Sequence, residues 1–470
     1  MSIDFPKNWK QVVLEDALDA LIDYRGKTPK KVDKGIPLIT AKVVKSGRIL
    51  PMDEFIADED YESWMVRGIP QISDIVVTTE APLGEVAQIK NANVALAQRI
   101  VTLRGKVDFL ENDFLLFLMQ SDFVQNQLEA RATGSTVKGI KQSELRKIIL
   151  PIPPIAEQKC IGKILSDLDN KIHLNNQINQ TLESIAQAIF KSWFIDFDPV
   201  RAKIVAKLEG ADPEFAAMCV ISGKSEAELK KMPEDDFAEL QATAALFPDE
   251  LVESELGEVP KGWEITNINA VTASIFSGGT PSTKEMTYWN GEIPWLSSGE
   301  TRNKIIVSTE KSITEIAVKK SSTKLAIFGD ILIASAGQGH TRGQTSFNAI
   351  ECYINQSIVA LRANDKVSSY WLYYCLEPRY DEMRSLSDSH SSRGSLTTKL
   401  LASMPVILPT QKLVVNFDKV IKSMLVQQIK NLKEIKILTD TRDALLPKLI
   451  SGDIDVSTLA SETEYEYSTE

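Results

Sequence analysis

The sequence predicts an α+β protein, in which two mixed α/β globular domains are separated by two long helices and the whole is a tandem repeat. Segments of the first half return in the second: Trp9 as Trp263, and Asp74 in Asp74-Ile75-Val76-Val77 as Asp330 in Asp330-Ile331-Leu332-Ile333. Gln98-Arg99-Ile100 also returns as Gln356-Ser357-Ile358. The nearly constant spacing indicates a single duplication, which predicts a pseudo-twofold body suited to a partner with two half-sites.

The globular domains are expected at residues 1–153 and 259–409. Both stretches consist of short apolar runs broken by Gly, Pro, Ser and Asn, a pattern typical of several short strands. Val76-Val77-Thr78-Thr79 and Ile331-Leu332-Ile333-Ala334 are predicted to be buried strands. Helices are predicted near the end of each domain, around 112–130 and 368–384.

Long helices are expected at residues 154–198 and 410–451. Pro153-Pro154 can introduce a helix, and no further proline follows until Pro199. Heptad spacing predicts one line of core positions in the first helix, a second line beside it, and a matching line in the second helix. These are Ile161, Leu168, Asn175, Leu182 and Ile189; then Ile164, Ile178 and Ile185; and Val414, Ile421, Gln428 and Ile435.

Asn175 and Gln428 interrupt these apolar lines at matching positions. A single amide in a helix seam lowers stability and fixes the register of the packed helices. For either residue alone, a tolerated polar side chain on a partly exposed seam is an equally good interpretation, but the recurrence favours register. We therefore predict that the two helices pack as an antiparallel coiled coil.

The segment 199–258 must connect the first helix to the second domain and is strongly acidic. Residues 209–258 hold fourteen acidic and three basic side chains, which accounts for the whole net charge of -11. Short helices are expected within 225–231 and 235–246. A surface that docks a partner and a solvated connector are both open interpretations. The tail 452–470 is polar and acidic, and we expect disorder from Ser457 onward.

Composition bounds the class of protein. The remainder of the chain is electrically balanced, so overall acidity does not exclude a nucleic-acid partner. No stretch resembles a membrane span, and Met1-Ser2-Ile3-Asp4 lacks the features of a secretory signal, so we expect a cytoplasmic protein. The four cysteines are scattered and there are three histidines, which argues against a disulfide framework or a zinc site.

Motifs for bond chemistry are missing from the sequence. Gly26-Lys27-Thr28 and Gly223-Lys224-Ser225 lack the upstream glycine of a phosphate-binding loop, because Leu21 and Met218 stand there. Neither a metal-dependent nuclease nor a Ser-His or Cys-His site is supported by a complete set of residues. Binding is therefore the better functional class, and we expect no catalytic residue and no metal ligand.

Several loops carry the side chains that DNA readers need, which are cations for phosphates and paired donors and acceptors for base edges. The candidates in the first domain are Arg25, Lys27, Thr28, Lys30, Lys31, Arg131, Ser135, Thr136, Lys138 and Lys141. The candidates in the second domain are Ser277, Thr280, Ser282, Gln338, Arg342, Gln344, Ser391 and Arg393. Matched loops are basic in one copy and hydroxyl-rich in the other, as two readers of different sequences would require.

Four segments carry a resemblance that covers essentially the whole chain. They are Leu150-Pro151-Ile152-Pro153-Pro154-Ile155-Ala156-Glu157-Gln158, Ser192-Trp193-Phe194-Ile195-Asp196-Phe197-Asp198-Pro199, Gly257-Glu258-Val259-Pro260-Lys261-Gly262-Trp263 and Leu445-Leu446-Pro447-Lys448-Leu449-Ile450-Ser451-Gly452. With them the chain resembles the specificity subunit of type I restriction-modification systems. One departure is Thr410-Gln411, which stands where the first copy has Ala156-Glu157-Gln158 and leaves the start of the second helix undefined.

The resemblance implies two target-recognition domains, each binding one half of a split, asymmetric site in double-stranded DNA. It implies that the helices dock two modification subunits, which bind S-adenosylmethionine and methylate adenine. Restriction subunits would translocate and cleave DNA with ATP and Mg, so no cofactor is expected on this chain. The alternative is a coiled-coil adaptor that holds two proteins and never contacts DNA.

The length of the first helix suggests a further role. Residues 155–193 would span about 58 Å at about 1.5 Å per residue, somewhat under two turns of duplex at roughly 34 to 36 Å per turn. We therefore hypothesise that the helix pair sets the number of unread base pairs between the two half-sites.

Overall fold

The computed structural model describes residues 5–24, 26, 28–337, 339–390 and 394–460. The chain divides into two compact units, Met1–Leu174 with Ile435–Glu470, and Asn175–Glu434. Each unit contains one globular domain together with a half of each long helix. The prediction of two domains of mixed helix and sheet is confirmed.

The first unit contains eleven strands within its described residues. They are β1 Lys10–Val13, β2 Leu18–Asp23, β3 Ile36–Ile39, β4 Val44–Lys45, β5 Arg48–Ile49, β6 Phe55–Ile56, β7 Ile75–Thr79, β8 Leu83–Gln88, β9 Ala95–Leu96, β10 Ile100–Gly105 and β11 Ile149–Ile152. Its helices are α1 Leu14–Ala17, α2 Tyr61–Trp64, α3 Asn112–Gln120, α4 Asp122–Arg131, α5 Gln142–Leu145 and the first part of α6 Ile155–Phe194. Ser121 separates α3 from α4, because its backbone is extended and its side chain caps the second helix by accepting a hydrogen bond from the Val124 N–H.

The central sheet of this unit is antiparallel, with the strand order β2-β10-β7-β8. Strand β7 is buried along its whole length, as predicted. Its side chains alternate between two cores: Ile75 and Val77 pack with the helices, whereas Val76 packs with the smaller sheet β6-β3-β9. A strand covered on both faces reads as a continuous apolar run, which explains why the sequence revealed it.

The second unit begins within α6 and includes four helices before its domain, α7 Asp198–Glu209, α8 Pro213–Ser222, α9 Glu226–Leu229 and α10 Glu234–Ala244. Its strands are β12 Leu251–Ser254, β13 Gly257–Pro260, β14 Glu264–Asn267, β15 Thr272–Ser277, β16 Trp289–Leu296, β17 Ile305–Ile306, β18 Lys311–Ile313, β19 Lys324–Ala326, β20 Ile331–Ala334, β21 Thr345–Asn348, β22 Cys352–Ile354, β23 Ile358–Ala363 and β24 Pro405–Leu408. The remaining helices are α11 Glu315–Lys320, α12 Ser369–Leu376, α13 Tyr380–His390, α14 Thr398–Ser403 and α15 Gln411–Ser451.

The central sheets of the two units share one pairing scheme. Strands β15, β23, β20 and β21 follow the order of β2, β10, β7 and β8, and β17 adds a fifth strand. Val101 pairs with both Asp23 and Val77 in the first unit. Val359, its repeat equivalent, pairs with both Ser277 and Ile333 in the second. The duplication therefore preserves strand register as well as sequence.

In each unit, α6 and α15 run antiparallel to each other where they are in contact. Within the second unit, Asn179 and Gln428 exchange hydrogen bonds. The side-chain amide of each residue donates to the backbone carbonyl of the other. Further along, the rings of Phe190 and Phe417 lie 5.6 Å apart, centroid to centroid. Within the first unit Arg442 of α15 donates to Asp169 of α6 at 2.9 Å.

The predicted second core line of the first helix is right at Ile164, which packs against the core of the first unit, and wrong at Ile178 and Ile185. Ile178 and Ile185 are 37% and 42% exposed, whereas Leu165 and Ala186 are fully buried. Positions three and four residues from a core residue both lie near the seam, so spacing alone does not choose between them. Helix α15 packs on the positions four residues after a core residue. At one of these positions, four residues after Asn175, Asn179 forms hydrogen bonds with Gln428 of α15.

The first helix ends at Phe194, four residues before the predicted limit. Phe197 has a left-handed backbone, with φ 56°, and Pro199 occupies the first turn of α7, so the chain turns and starts a new helix. Beyond it, α8, α9 and α10 enclose a small core around Met218 and Leu229. The acidic segment is therefore folded, with more helix than the sequence predicted.

The predicted disorder from Ser457 onward is wrong for its first residues. Residues 457–460 form a helical turn and Ala460 is buried in the core of the first unit. Residues 461–470 lie outside the described residues.

Candidate nucleic-acid interface

Three strand ends meet at one edge of the first domain. Because β2 and β7 both run antiparallel to β10, their last residues lie beside its first residues. Three connections therefore leave the domain together: the loop after Asp23, the turn after Thr79 and the loop before Ile100. We call this edge the reading edge of the first domain.

The loop 132–140 joins this edge through backbone hydrogen bonds. The Ile140 N–H donates to the Thr79 carbonyl at 2.9 Å, and the Thr79 N–H donates to the Arg99 carbonyl at 2.8 Å. Gly139 also bridges both Thr133 and Glu80. The structure thus brings the predicted loop 131–141 and the start of the predicted loop after β2 to the same edge of one sheet.

Most predicted residues described in the first domain are exposed, namely Thr28, Lys30, Lys31, Ser135, Thr136, Lys138 and Lys141, and Arg131 is half-buried. Arg25 and Lys27 lie outside the described residues. Lys31 pairs with Glu54 at 2.8 Å and Lys138 pairs with Glu129. Exposed ion pairs are worth about 0–1 kcal/mol, so these pairs add little to the stability of the domain.

The second domain has the same junction. The Leu396 N–H donates to the Ser335 carbonyl at 2.8 Å, and the Ser335 N–H donates to the Ser357 carbonyl at 2.8 Å. These three residues are the repeat equivalents of Ile140, Thr79 and Arg99. The loop before β23 also meets the loop after β15, because Thr280 donates its hydroxyl to the Gln356 side chain. This is the reading edge of the second domain.

Predicted residues of the second domain are less exposed. Ser282 is exposed, while Ser277, Thr280 and Gln344 are half-buried. Gln344 accepts a hydrogen bond of 3.5 Å from the Thr301 hydroxyl. Gln338, Ser391 and Arg393 lie outside the described residues.

The side chain of Arg342 is buried, whereas the sequence predicted an exposed loop residue that contacts DNA. It is only 8% exposed, and its guanidinium donates to the Gly394 carbonyl and to the Asp388 carboxylate. Arg342 thus ties the loop 339–344 to α13 and to the segment after it, and a base contact would require these bonds to break. Beside it, Arg384 donates to the Gly339 carbonyl at 2.6 Å.

Sequence reasoning missed three residues at these edges. Arg99 pairs with Glu80 beside loop 132–140, and Gln356 receives Thr280. Arg67 lies beside the loop after β2, where it donates to the Asp23 carbonyl at 2.9 Å. The repeat contained a signal for the first two, because Gln98-Arg99 aligns with Gln356-Ser357. Arginine in the first copy is thus replaced by serine at the equivalent position of the second copy.

The predicted register residues are buried within the second unit. Asn175 is 1% exposed and donates to the Glu434 carboxylate at 2.9 Å, and Gln428 is 2% exposed and donates to Glu183 at 3.3 Å in addition to Asn179. Glu183 also accepts from the Tyr374 hydroxyl at 3.2 Å. Burial, followed by the nearby carboxylates of Glu183 and Glu377, raises the pKa of Tyr374. We call the hydrogen-bonded side chains of Asn175, Gln428, Glu183 and Glu434 the polar seam. The bond from Tyr374 to Glu183 joins this seam to the second domain.

Among the described residues, no cluster of His, Cys, Asp and Glu could hold a metal ion. Within the same residues, no helix has the length and apolar character needed to cross a membrane.

Two domains that display different side chains from one repeated backbone junction define a duplicated recognition protein. Residues 6–184 and 260–438 each match the family model described as the type I restriction modification DNA specificity domain. The chain therefore belongs to this family, and it is a DNA-recognition subunit of a restriction-modification system.

Several specificity subunits of type I restriction systems are similar to this chain in sequence or in structure. The HindI specificity subunit of Haemophilus influenzae is 31% identical over 378 residues, which cover 77% of this chain and 82% of that protein. The MjaIX specificity subunit of Methanocaldococcus jannaschii is 24% identical over 468 residues, covering 97% and 95%. The crystal structure of a type I restriction-modification S subunit from M. genitalium shares the fold, with a TM-score of 0.59, 16% identity and coverage of 96% and 98%.

Proposed function

We propose that each domain binds one half of a split, asymmetric site in double-stranded DNA, with the first domain at residues 1–153 and the second at 259–409. The observation that carries the proposal is the shared junction, at which the Thr79 and Ser335 backbones hold equivalent loops. A rigid frame with interchangeable loops is how recognition proteins separate stability from specificity.

The two reading edges differ in chemistry, which supports an asymmetric site. In the first domain, loop 132–140 carries exposed Lys138 and the loop after β2 carries exposed Lys30 and Lys31; the charge of these side chains suits phosphates. The second presents Thr280 with Gln356 and, close by, Gln344; these hydroxyl and amide groups suit base edges.

Gel-shift titration of the subunit with its modification subunits tests the proposal. Competition with random duplexes should yield a sequence preference that is lost when this chain is omitted. The alternative, a coiled-coil adaptor, would add no sequence preference, and that result would reject DNA reading by the chain.

We further propose that the helices pack as an antiparallel coiled coil, that the two copies are related by a pseudo-twofold axis, and that the helices set the spacer between half-sites. Helix α6 has 40 residues and α15 has 41, so each is about 60 Å long at about 1.5 Å per residue. Inserting one heptad into each helix should lengthen the recognised spacer and leave both half-sequences unchanged. An unaltered spacer would contradict this role.

The helices are also proposed to dock two modification subunits. Ile178 and Ile185 of α6 and Val426 of α15 are 37%, 42% and 50% exposed, and apolar side chains outside the seam suit a partner helix. Ile185→Glu should reduce co-purification of modification subunits, whereas Lys191→Gln, at an exposed position about 120° round the same helix from Ile185, should not. Equal recovery with both variants would contradict docking at this surface.

The chain is proposed to be non-catalytic, with S-adenosylmethionine, ATP and Mg bound by the modification and restriction/translocase subunits. A cytoplasmic location is also proposed. The thiols of Cys160, Cys219, Cys352 and Cys375 are unpaired in the structure, which is consistent with a reducing compartment.

A further inference from the structure

Arg99 and Glu80 form an ion pair on the reading edge of the first domain. Arg99 Nε lies 2.9 Å from Glu80 Oε1, and the two side chains are 53% and 45% exposed. Neither residue supports the core, because the pair lies at the surface. An exposed pair of this kind adds about 0–1 kcal/mol to stability, so stability alone gives little reason for it.

The backbone of Arg99 is held in an unusual conformation. Its φ is 72°, in the left-handed region that residues with a Cβ rarely adopt. The Thr79 N–H donates to its carbonyl at the junction of β7 and β10, so the surrounding sheet fixes the conformation. Such backbone strain is concentrated at sites where a side chain must be aimed.

Glu80 is also fixed in place. Its backbone bridges Gly139, and its side chain lies against that glycine, since a Cβ built at Gly139 would be 3.4 Å from Glu80 Oε2. The carboxylate that pairs with Arg99 therefore lies beside loop 132–140, which carries predicted contact residues. Arg99 is oriented by two parts of the reading edge at once.

The second domain lacks this pair. Ser357 stands at the position equivalent to Arg99, and Ala336 stands at the position equivalent to Glu80. The junction hydrogen bond is nevertheless the same, with the Ser335 N–H donating to the Ser357 carbonyl at 2.8 Å, whereas the left-handed backbone is found at Arg99 and not at Ser357. The pair is therefore not needed to build the junction and is specific to one domain.

We infer that Arg99 reads a guanine in the half-site bound by the first domain, and that Glu80 is its positioning residue. This inference rests on the proposed function. The guanidinium presents five N–H donors in a rigid fork, four of them on the terminal nitrogens, and a guanine edge presents two acceptors that match this fork.

Charge favours a base edge over a phosphate as the target of Arg99. The Glu80 carboxylate neutralises the guanidinium locally, and it would repel a phosphate placed beside the pair. A base edge carries no net charge, so recognition by two directed hydrogen bonds is compatible with a neighbouring carboxylate. A fixed and neutralised arginine is therefore better suited to discrimination than to affinity.

The test measures binding of the complete complex with its modification subunits to a library in which each base pair of both half-sites is varied. Arg99→Gly removes the side chain and tolerates the left-handed backbone, while Arg99→Lys keeps the charge and loses the fork. Both variants should lower the preference for guanine at one base pair of the first half-site by about tenfold or more. Preferences in the second half-site should not change.

Glu80→Gln supplies the independent variant. It should weaken the same guanine preference, and it should raise affinity for non-specific duplex with a steeper salt dependence, because the arginine charge becomes available to phosphates. Arg146→Ala is the matched control, since Arg146 forms an exposed pair with Glu15 on the same domain, and it should change neither property. Circular dichroism and the melting temperature establish that each variant is folded.

Two results would overturn the inference. One is a set of base preferences unchanged by Arg99→Gly. The other is an equal loss of binding to all duplexes that Arg99→Lys restores, which would make Arg99 a phosphate contact. In both cases the wild-type complex would still show a sequence preference; a wild-type complex without one would reject the proposed function instead.

Discussion

Arg104 donates two hydrogen bonds to the buried carboxylate of Asp74, from Nε to Oδ1 at 2.8 Å and from Nη2 to Oδ2 at 2.7 Å. Arg362 holds Asp330 in the same way, at 2.8 and 2.7 Å. Each aspartate also accepts from a backbone N–H three residues earlier. The duplicated pair fixes the start of β7 and of β20, the central strands whose opposite ends lie at the reading edges.

Loss of one arginine should therefore destabilise its unit. Arg104→Ala leaves the Asp74 carboxylate, which is fully buried, without its cation. The expected loss in free energy of unfolding is about 3 kcal/mol, near the lower end for broken buried pairs because Arg104 is itself partly exposed. Urea denaturation measures it, with Arg146→Ala as the exposed control at less than about 1 kcal/mol. Equal losses in both variants would contradict the assignment.

Asp418 should make stability depend on pH. This residue of α15 accepts a hydrogen bond of 2.5 Å from the hydroxyl of Ser368, which caps α12. Burial raises its pKa to about 6 from an ordinary value of 3.8, despite that hydrogen bond. A raised carboxyl pKa means that the folded state binds the proton more tightly, so this contribution to stability is present below about pH 4 and is lost as pH rises through 6.

The matching variant is Asp418→Asn, which cannot ionise. Its melting temperature should exceed that of the wild type above pH 7, and the difference should vanish towards pH 4. Asp167→Asn, at an exposed i,i+4 pair with Lys163, provides the control. A difference that is constant across this range would refute the role of Asp418 ionisation.

The polar seam should show energetic coupling. Asn175 donates to Glu434 at 2.9 Å from a buried position, and hydrogen bonds to charged groups contribute about 1.5–3 kcal/mol. A double-mutant cycle with Asn175→Ala and Glu434→Ala should give a coupling energy of about 1 kcal/mol or more. The same cycle with Lys430→Ala, an exposed residue of α15, should be additive. Additivity in both cycles would mean that the bond contributes nothing.

Arg342 should act through loop structure. If its bonds to Asp388 and Gly394 orient the loop 339–344, Arg342→Ala and Asp388→Ala should weaken binding to the second half-site at all its base pairs and to a similar degree. Binding to the first half-site should not change. Relaxation at a single base pair with Arg342→Ala, together with a silent Asp388→Ala, would instead support the base contact predicted from the sequence.

The sequence predicted those parts of the fold that depend on local pattern. The strand Ile331–Ala334 is a continuous apolar run because both of its faces are covered. Helix α6 follows from apolar spacing uninterrupted by proline, whereas α15 continues through Pro447. The side of α6 that faces α15 was not predictable. Ile178 is more apolar than Asn179, yet Asn179 faces α15 because its side chain and its backbone both form hydrogen bonds with Gln428.

The candidate site was predictable as a set of loops but not in its details. The loops 131–141 and 277–282 could be recognised by composition. The internal use of Arg342 depends on a carbonyl and a carboxylate about fifty residues away in the chain. Arg99 resembles any other arginine in sequence, and its importance follows from a backbone angle and a neighbour that only the fold supplies.

Sequencing of methylated adenines in a host that carries this chain with its modification subunits tests the central claim most directly. The account predicts one asymmetric, two-part motif with a fixed spacer, in which exchange of residues 1–153 for those of a relative changes one half alone. A continuous motif, or methylation that is unaltered by that exchange, would contradict it.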